Sequence, residues 1–564
     1  MLQTGTGRVV RDNTGVTGLV INNGSATNSS ALMQAADADV IQMNKTPASV
    51  TVNNYGTMTS LNASAGGSQA IDFNAIGSGA NVINNFSTGV LQASEADAVR
   101  PGVNGVVNNS GLIKSTSTTG SSSDGVDAQN NSGINVINDT TGIIEGARHG
   151  ITGGALNNTV NFTTGVTNKA GGVIKGDNGS GINIDGFNAL QVLTVTNNGL
   201  ISGNGVTGDG DGIDSDGILN LINTGTVVSV NAFSPSGSGV AQSEGLTVGG
   251  GTIVNSGVIE GLVASGNTNA VGRGISLLGN DVAGGAPGQR EAIYGNATVT
   301  NQAGGLIYGQ SDSGIAVGGP ASGYTVTINN NAGGTVRGGG TATAAILTGA
   351  DNDVLNESGI IDGSSSGLAI DLGAGNNTLS LTGGQASISG SVNDGVGGIN
   401  VFTIDPGAGN SFSYSNSILN FNTVQVLSGL VSLSGVSSYS GTTDVTGGIL
   451  QLSGANRLSS AGTLDLDGGT LETANAGGAN GQTFGCLSVT GSSAVDLDGS
   501  SLTFDCLSTA ISGKSLTVNG YSAATMFHFT ELRPPHSRGR NRQRDIPDAG
   551  RQHIHRRRSC QLHI

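Results

Sequence analysis

The densest run of ligand-type side chains in this 564-residue chain is "GDGDGIDSDG" at 208–217. Asp209, Asp211, Asp214 and Asp216 alternate there with small residues, and hard cations such as Ca²⁺ favour several carboxylate oxygens on a pliable loop. The run lacks the terminal Glu of an EF-hand loop and is not iterated like nonapeptide Ca²⁺ repeats. It reads as a Ca²⁺ candidate beside the plainer reading of an acidic turn, and no other cofactor is expected.

The remaining chemistry is sparse. His149 is the only histidine before residue 525, so a Ser/His/Asp set has little to draw on. Neither H-E-x-x-H nor G-x-x-x-x-G-K-[ST] occurs, and the arginines of the body are scattered. Paired carboxylates for glycoside chemistry must face each other across a cleft, and no pair stands out from the Asp-rich turns. The expectation is a protein that is not an enzyme. Three cysteines make no disulfide framework and have no metal-ligand spacing. Cys486 and Cys506 share the context F-x-C-L-S at a spacing of 20. They are expected on adjacent rungs as two free, half-buried thiols, with a disulfide as the alternative.

Composition limits what can position such residues. With 98 Gly, no Trp and 3% aromatics, the core cannot rest on aromatic anchors, yet Val, Ile and Leu are too plentiful for disorder. Nine of the 22 basic residues and three of the 38 acidic ones lie from 525 onward, leaving 13 basic against 35 acidic and a net charge near −22 in the body. That balance argues against nucleic acid or an anionic membrane as partner. No segment approaches the roughly 20 apolar residues of a membrane helix, and no signal-peptide segment is visible at the N-terminus.

One motif recurs through most of the chain: apolar residue, any residue, Asn, a Gly-containing turn, two apolar residues. Examples are "VVNNSGLIKS" (106–115), "VTNNGLISG" (195–203) and "IVNSGVIEG" (253–261). Its Asn recurs at Asn22, Asn54, Asn84, Asn108, Asn138, Asn168, Asn197, Asn223, Asn255, Asn301, Asn330 and Asn356, a step near 30 that indicates a solenoid. Three short apolar segments per step, none with helical period, predict an all-β fold. It is a right-handed parallel β-helix of about 12 or more coils with three short strands each, followed by further β-solenoid repeats. The Asn begins each turn and can bond its counterpart on the next coil as a ladder. The Gly after it supplies positive φ. Ahead of the "G-I/V/L-x-V/L" strand, one slot holds Asp124, His149, Ser180, Asp211, Glu244, Arg273 and Ser313. Such mixed chemistry predicts a solvent-facing turn, with His149 an exposed turn residue rather than a ligand or base. The step from Asn255 to Asn301 is 46 residues long. Its excess, around 278–295, makes Asp281, Arg290 and Glu291 candidate contacts of a binding loop.

The pattern divides the chain into β-helix (1–366), a β-rich transition (367–430), further repeats (431–524) and a basic tail (525–564). In "SLSGVSSYSGTTDVTGGILQLSG" (432–454), Tyr439, Ser440, Gly441, Thr442, Thr443, Val445, Gly447, Gly448 and Leu450 occupy the positions of the autotransporter-associated β-strand repeat. Residues 15–520 thus resemble the passenger region of bacterial type V autotransporters. The resemblance implies a cell-surface, outer-membrane or secreted location. It also implies a non-catalytic adhesin or interaction scaffold. Its partner would be a host-cell or matrix surface protein or glycan, or another copy between cells. Membrane contact would come only through a translocator barrel that this chain does not show. A carbohydrate-active β-helix enzyme, a polysaccharide lyase or hydrolase, is the alternative. The tail, with nine Arg and five of the six His, reads as disordered or as translation in a shifted frame, so the chain is expected to be a fragment.

Overall fold

A computed structural model describes the chain except for residues 119–122, 156–159, 187, 208–209, 233–240, 280–291, 396, 475–480, 521–524, 531–558 and 564. Among the described residues there is no helix. The chain divides into two compact units, Met1–Leu355 with Gly359–Gly373, and Asn356–Ser358 with Ala374–Ile564.

The first unit is a parallel β-helix. Strands recur three per coil, as in Thr57–Ser60, Ile71–Asp72 and Val82–Asn85, and each pairs in parallel with its counterpart one coil on. A first sheet runs from Leu2–Gln3 to Ile360–Asp362, a second from Val10–Asp12 to Leu368–Asp371, and a third from Thr17–Asn23 to Val326–Asn330. The strands are too short to bury aromatics in quantity, and alternation sends one residue in two inward. Ile113, Ile144, Ile174, Ile201, Val227, Ile259 and Ile307 are register partners and fully buried. Similar buried apolar columns line the other two sheets, among them Val166, Val195, Leu221 and Ile253 in the third.

The turn from third to first sheet is held by amides. From Asn23 through Asn54, Asn85, Asn109, Asn138, Asn168, Asn197, Asn223, Asn255 and Asn301 to Asn330, each Nδ2 donates to the next Oδ1 at 2.8–3.0 Å. Each is 0–2% exposed. The repeat therefore forms the expected ladder, but four positions need correction. Asn22, Asn84 and Asn108 point outward, and the neighbours Asn23, Asn85 and Asn109 fill the ladder. Asn356 is likewise exposed, beside a buried Glu357. Where two polar residues adjoin, the inward one is set by strand alternation, which leaves only every second residue facing the core.

The glycine of the motif also acts differently from expectation at Asn197. Gly199 is not among the residues with positive φ. A Cβ there would lie 2.3 Å from the carbonyl oxygen of Gly172 on the preceding coil. Close approach of coils, not backbone handedness, excludes a side chain.

In the second unit the coil shortens to two strands. Thr423–Val426, Thr442–Val445 and Thr463–Leu466 stack in one sheet, with Leu430–Leu433, Ile449–Ser453 and Thr470–Ala474 in the other. The 432–454 motif is one such coil. Tyr439 is buried with its hydroxyl 2.7 Å from Thr443 Oγ1, and Gly448 turns the corner at φ 65°. Cys486 and Cys506 are direct register partners, 4.5 Å apart at Cα, and are joined as a disulfide. This corrects the expectation of free thiols: identical register on adjacent parallel strands brings Cα atoms within bridging distance.

Order does not stop at 524. Phe527–Phe529 adds a parallel rung to Leu502–Ala510, with the Phe529 ring 5.6 Å from that of Phe504. Ser559–His563 pairs antiparallel with Ser515–Asn519. The basic tail thus contributes strands at both of its described ends.

Candidate functional site

The slot ahead of each second-sheet strand is where the titratable residues gather, and it is not solvent-facing. Asp124, His149, Ser180, Asp211, Glu244, Arg273 and Ser313 are all 0–8% exposed. A shared bonding rule explains Asp124, His149 and Asp211 among them. Asp97 Oδ1 accepts the backbone N–H of Asp124 at 3.0 Å, Asp124 Oδ1 that of His149 at 2.9 Å, and His149 Nδ1 that of Ser180 at 2.9 Å. Asp39 and Asp211 do the same for Gln69 and Glu244, both at 3.0 Å. Any side chain with an acceptor at this reach serves, because a buried N–H must find a partner. The sequence suggested exposure because acid and imidazole share the slot; it could not show that both are used as acceptors.

His149 follows from this. Its Nδ1 accepts, so Nε2 carries the proton, and among the described residues Nε2 meets no acceptor. Burial, with the charge of Arg148, pushes its pKa down to about 3. The imidazole is neutral and sealed.

Three carboxylates converge beside it. Asp97, Asp124 and Asp127 place one oxygen each within 4.8 Å of the others, all buried. Asp97 and Asp124 come from the slot. Asp127 comes from the outer side of Val126–Asp127, whose strand stacks on Val99–Arg100. Arg100 Nη2 lies 2.6 Å from Asp97 Oδ2, and its Nε lies 3.7 Å from Asp127 Oδ2. Burial opposes the Arg100 cation, but Asp97 and Asp127 outweigh it and raise its pKa. One guanidinium does not balance three carboxylates. Burial and then the Asp97 charge push Asp127 up to about 7, and the same two causes raise Asp124 well above the carboxylate range. The cluster therefore holds a proton near neutral pH. Three oxygen donors are also a partial ligand set for a hard cation, and the Arg100 guanidinium already pairs with two of the three carboxylates.

A second charged group lies further along the sheet. Arg273 Nη2 and Nε bond Asp312 Oδ2 at 2.6 and 3.1 Å, Nη1 bonds Gln242 and Ser276, and Ser276 Oγ donates to Glu244 at 3.0 Å. All of these but Gln242 are buried. It reads as a closed ion-pair network.

Of the residues singled out as a Ca²⁺ candidate, Asp211, Asp214 and Asp216 lie among the described residues. Asp211 points into the slot, accepting from Glu244 N–H and, at 2.6 Å, from Thr247 Oγ1. Asp214 lies on the outer side of Ile213–Ser215, and Asp216 Oδ2 accepts the Gly186 N–H at 3.3 Å. Asp209 lies outside the described residues, as do Asp281, Arg290 and Glu291 of the candidate loop. The "GSSSG" at 363–367 has the spacing of a nucleophile elbow, but it turns between two strands, not from strand into helix.

Against known proteins, the chain matches no family model, no curated protein and no solved structure.

Proposed function

We propose that this protein is a non-catalytic β-helical scaffold, displayed on a cell surface or secreted, that works by adhesion or by interaction through its loops. The observation that carries this reading is the use made of the titratable side chains. Asp39, Asp97, Asp124, His149 and Asp211 each accept a backbone N–H from the next coil, so their chemistry goes into stacking. Catalytic acids and bases need access to substrate, and Asp97 is 0% and Asp124 and Asp127 are 3% exposed. The resemblance of 432–454 to the autotransporter-associated repeat supports the location and the passenger role. The partner class that fits is a surface protein or glycan met by the insertions between coils.

One observation favours a second reading, a carbohydrate-active enzyme. Asp127, with its pKa near 7 beside Asp97 and Asp124, has the poise of a general acid. The two readings separate in one experiment. The purified chain is assayed for binding to immobilised matrix proteins and glycans, and for release of reducing ends from acidic and neutral polysaccharides. Binding without turnover supports the scaffold. Turnover that Asp127→Asn abolishes replaces it with the enzyme.

A further inference from the structure

The outer side of the third sheet is free of charge. None of its strands from Thr17–Asn23 to Val326–Asn330 contains Asp, Glu, Lys or Arg. On the same coils the first sheet turns outward Lys114, Lys175, Glu260 and Arg337, so the absence belongs to one face and not to the composition.

The face is also periodic. One outward column runs Thr194, Asn220, Thr252, Thr298 and Thr327 in unbroken register, and a parallel column runs Thr196, Ile222, Val254, Thr300 and Asn329. Rungs about 4.8 Å apart, and outward residues about 6.6 Å apart along each strand, make a rectangular grid. β-Branched side chains are stiff at χ1, so the methyls of the Thr, Ile and Val residues and the hydroxyls of the threonines sit in fixed places. The Asn ladder and aliphatic columns beneath hold the rungs in register.

The contents of the grid narrow the partner. Protein hot spots rest on Trp, Tyr and Arg, sugars favour aromatic faces, and ionic partners need charge; these strands offer none outward. A hydroxyl that donates one hydrogen bond and accepts two, set beside a methyl that water must cage, imposes order on the water above it. Charged heads would hold hydration shells of their own and break that order. We propose that this face binds a lattice of hydrogen-bonded water, the surface of an ice crystal. The inference goes beyond the scaffold reading and does not rest on it.

The test uses the full chain, mixed with an inert carrier protein and frozen slowly onto a cold finger, with ice-crystal shape followed by microscopy. The wild type is expected to be enriched in the ice fraction and to facet growing crystals. The pair Thr252→Lys and Thr298→Lys, on adjacent rungs, should lower enrichment at least tenfold, while Ser202→Lys on the first sheet leaves it unchanged. Circular dichroism checks that each variant folds; if the double variant does not, the single Thr194→Lys takes its place. Exclusion of the wild type from ice with rounded crystals overturns the proposal. So does equal partition of the Thr→Lys variants, equal loss from Ser202→Lys, or retention on microcrystalline cellulose without partition into ice.

Discussion

Asn54 donates from Nδ2 to Oδ1 of Asn85 on the following coil at 2.8 Å, while its chain neighbour Asn53 donates to Oδ1 of Asn22 on the preceding coil at 2.9 Å. Two amide ladders thus run side by side with opposite polarity, continued outside by Asn84 and Asn108. The inner one is buried and reaches Asn330; the outer one gives way to Ile137 at the next rung.

Burial separates the two energetically. Asn168→Leu removes a buried amide that bonds both adjacent coils, which costs about 1–3 kcal/mol. Asn108→Ala in the outer ladder should change stability by no more than about 0.5 kcal/mol. Urea unfolding followed by circular dichroism measures both, and equal losses would contradict the distinction.

Much of this architecture was legible. The 30-residue step gave the coil, and alternation gave Val195 and Ile201 as core residues, 1% and 0% exposed. What the sequence hid was depth at polar positions. Asn22 and Asn23 are the same letter with opposite fates, decided by which of them falls on the inward half of the strand. The slot residues looked exposed because burial of Asp124 or His149 makes sense only once the N–H on the next coil is seen. Asp127 was missed for a related reason: its partners Asp97 and Arg100 are about 30 residues away and meet it only through stacking.

The buried groups set opposed pH dependences. Asp127 has a folded pKa of about 7 against 3.8 for the free side chain, so the folded state binds more protons between these values. Its destabilisation is absent below the lower value and complete above the upper. Asp127→Asn should therefore stabilise the protein above pH 7 and lose that advantage as pH falls toward 4. A melting temperature difference that is flat from pH 4 to 8 would contradict this.

His149 acts the other way. Its folded pKa of about 3 lies below the ordinary 6.5, so the neutral imidazole's contribution is whole above 6.5 and is lost as pH falls toward 3. His149→Asn, which keeps an acceptor near the Ser180 N–H, should lose less stability than wild type on acidification from pH 6.5 to 4. Parallel acid-unfolding curves would count against a buried neutral His149.

Cys486 and Cys506 close a short loop within the second unit. Loop-closure entropy for a separation of this size gives a stabilisation of about 3 kcal/mol. Peptide mapping without reductant should recover the cross-linked pair, and the double Cys→Ser variant should unfold at lower denaturant. Free thiols at both positions in the oxidised protein would contradict the pairing.

The central claim is that the slot residues bind coil to coil beneath the surface. Hydrogen exchange at the backbone amides of Asp124, His149, Ser180 and Glu244 tests it most directly. Protection comparable to that of the neighbouring amides of Val126 and Ile151 is predicted, with local loss at His149 in Asp124→Ala. Exchange at the rate of an open turn in the wild type would contradict it and return these side chains to the candidates for catalysis.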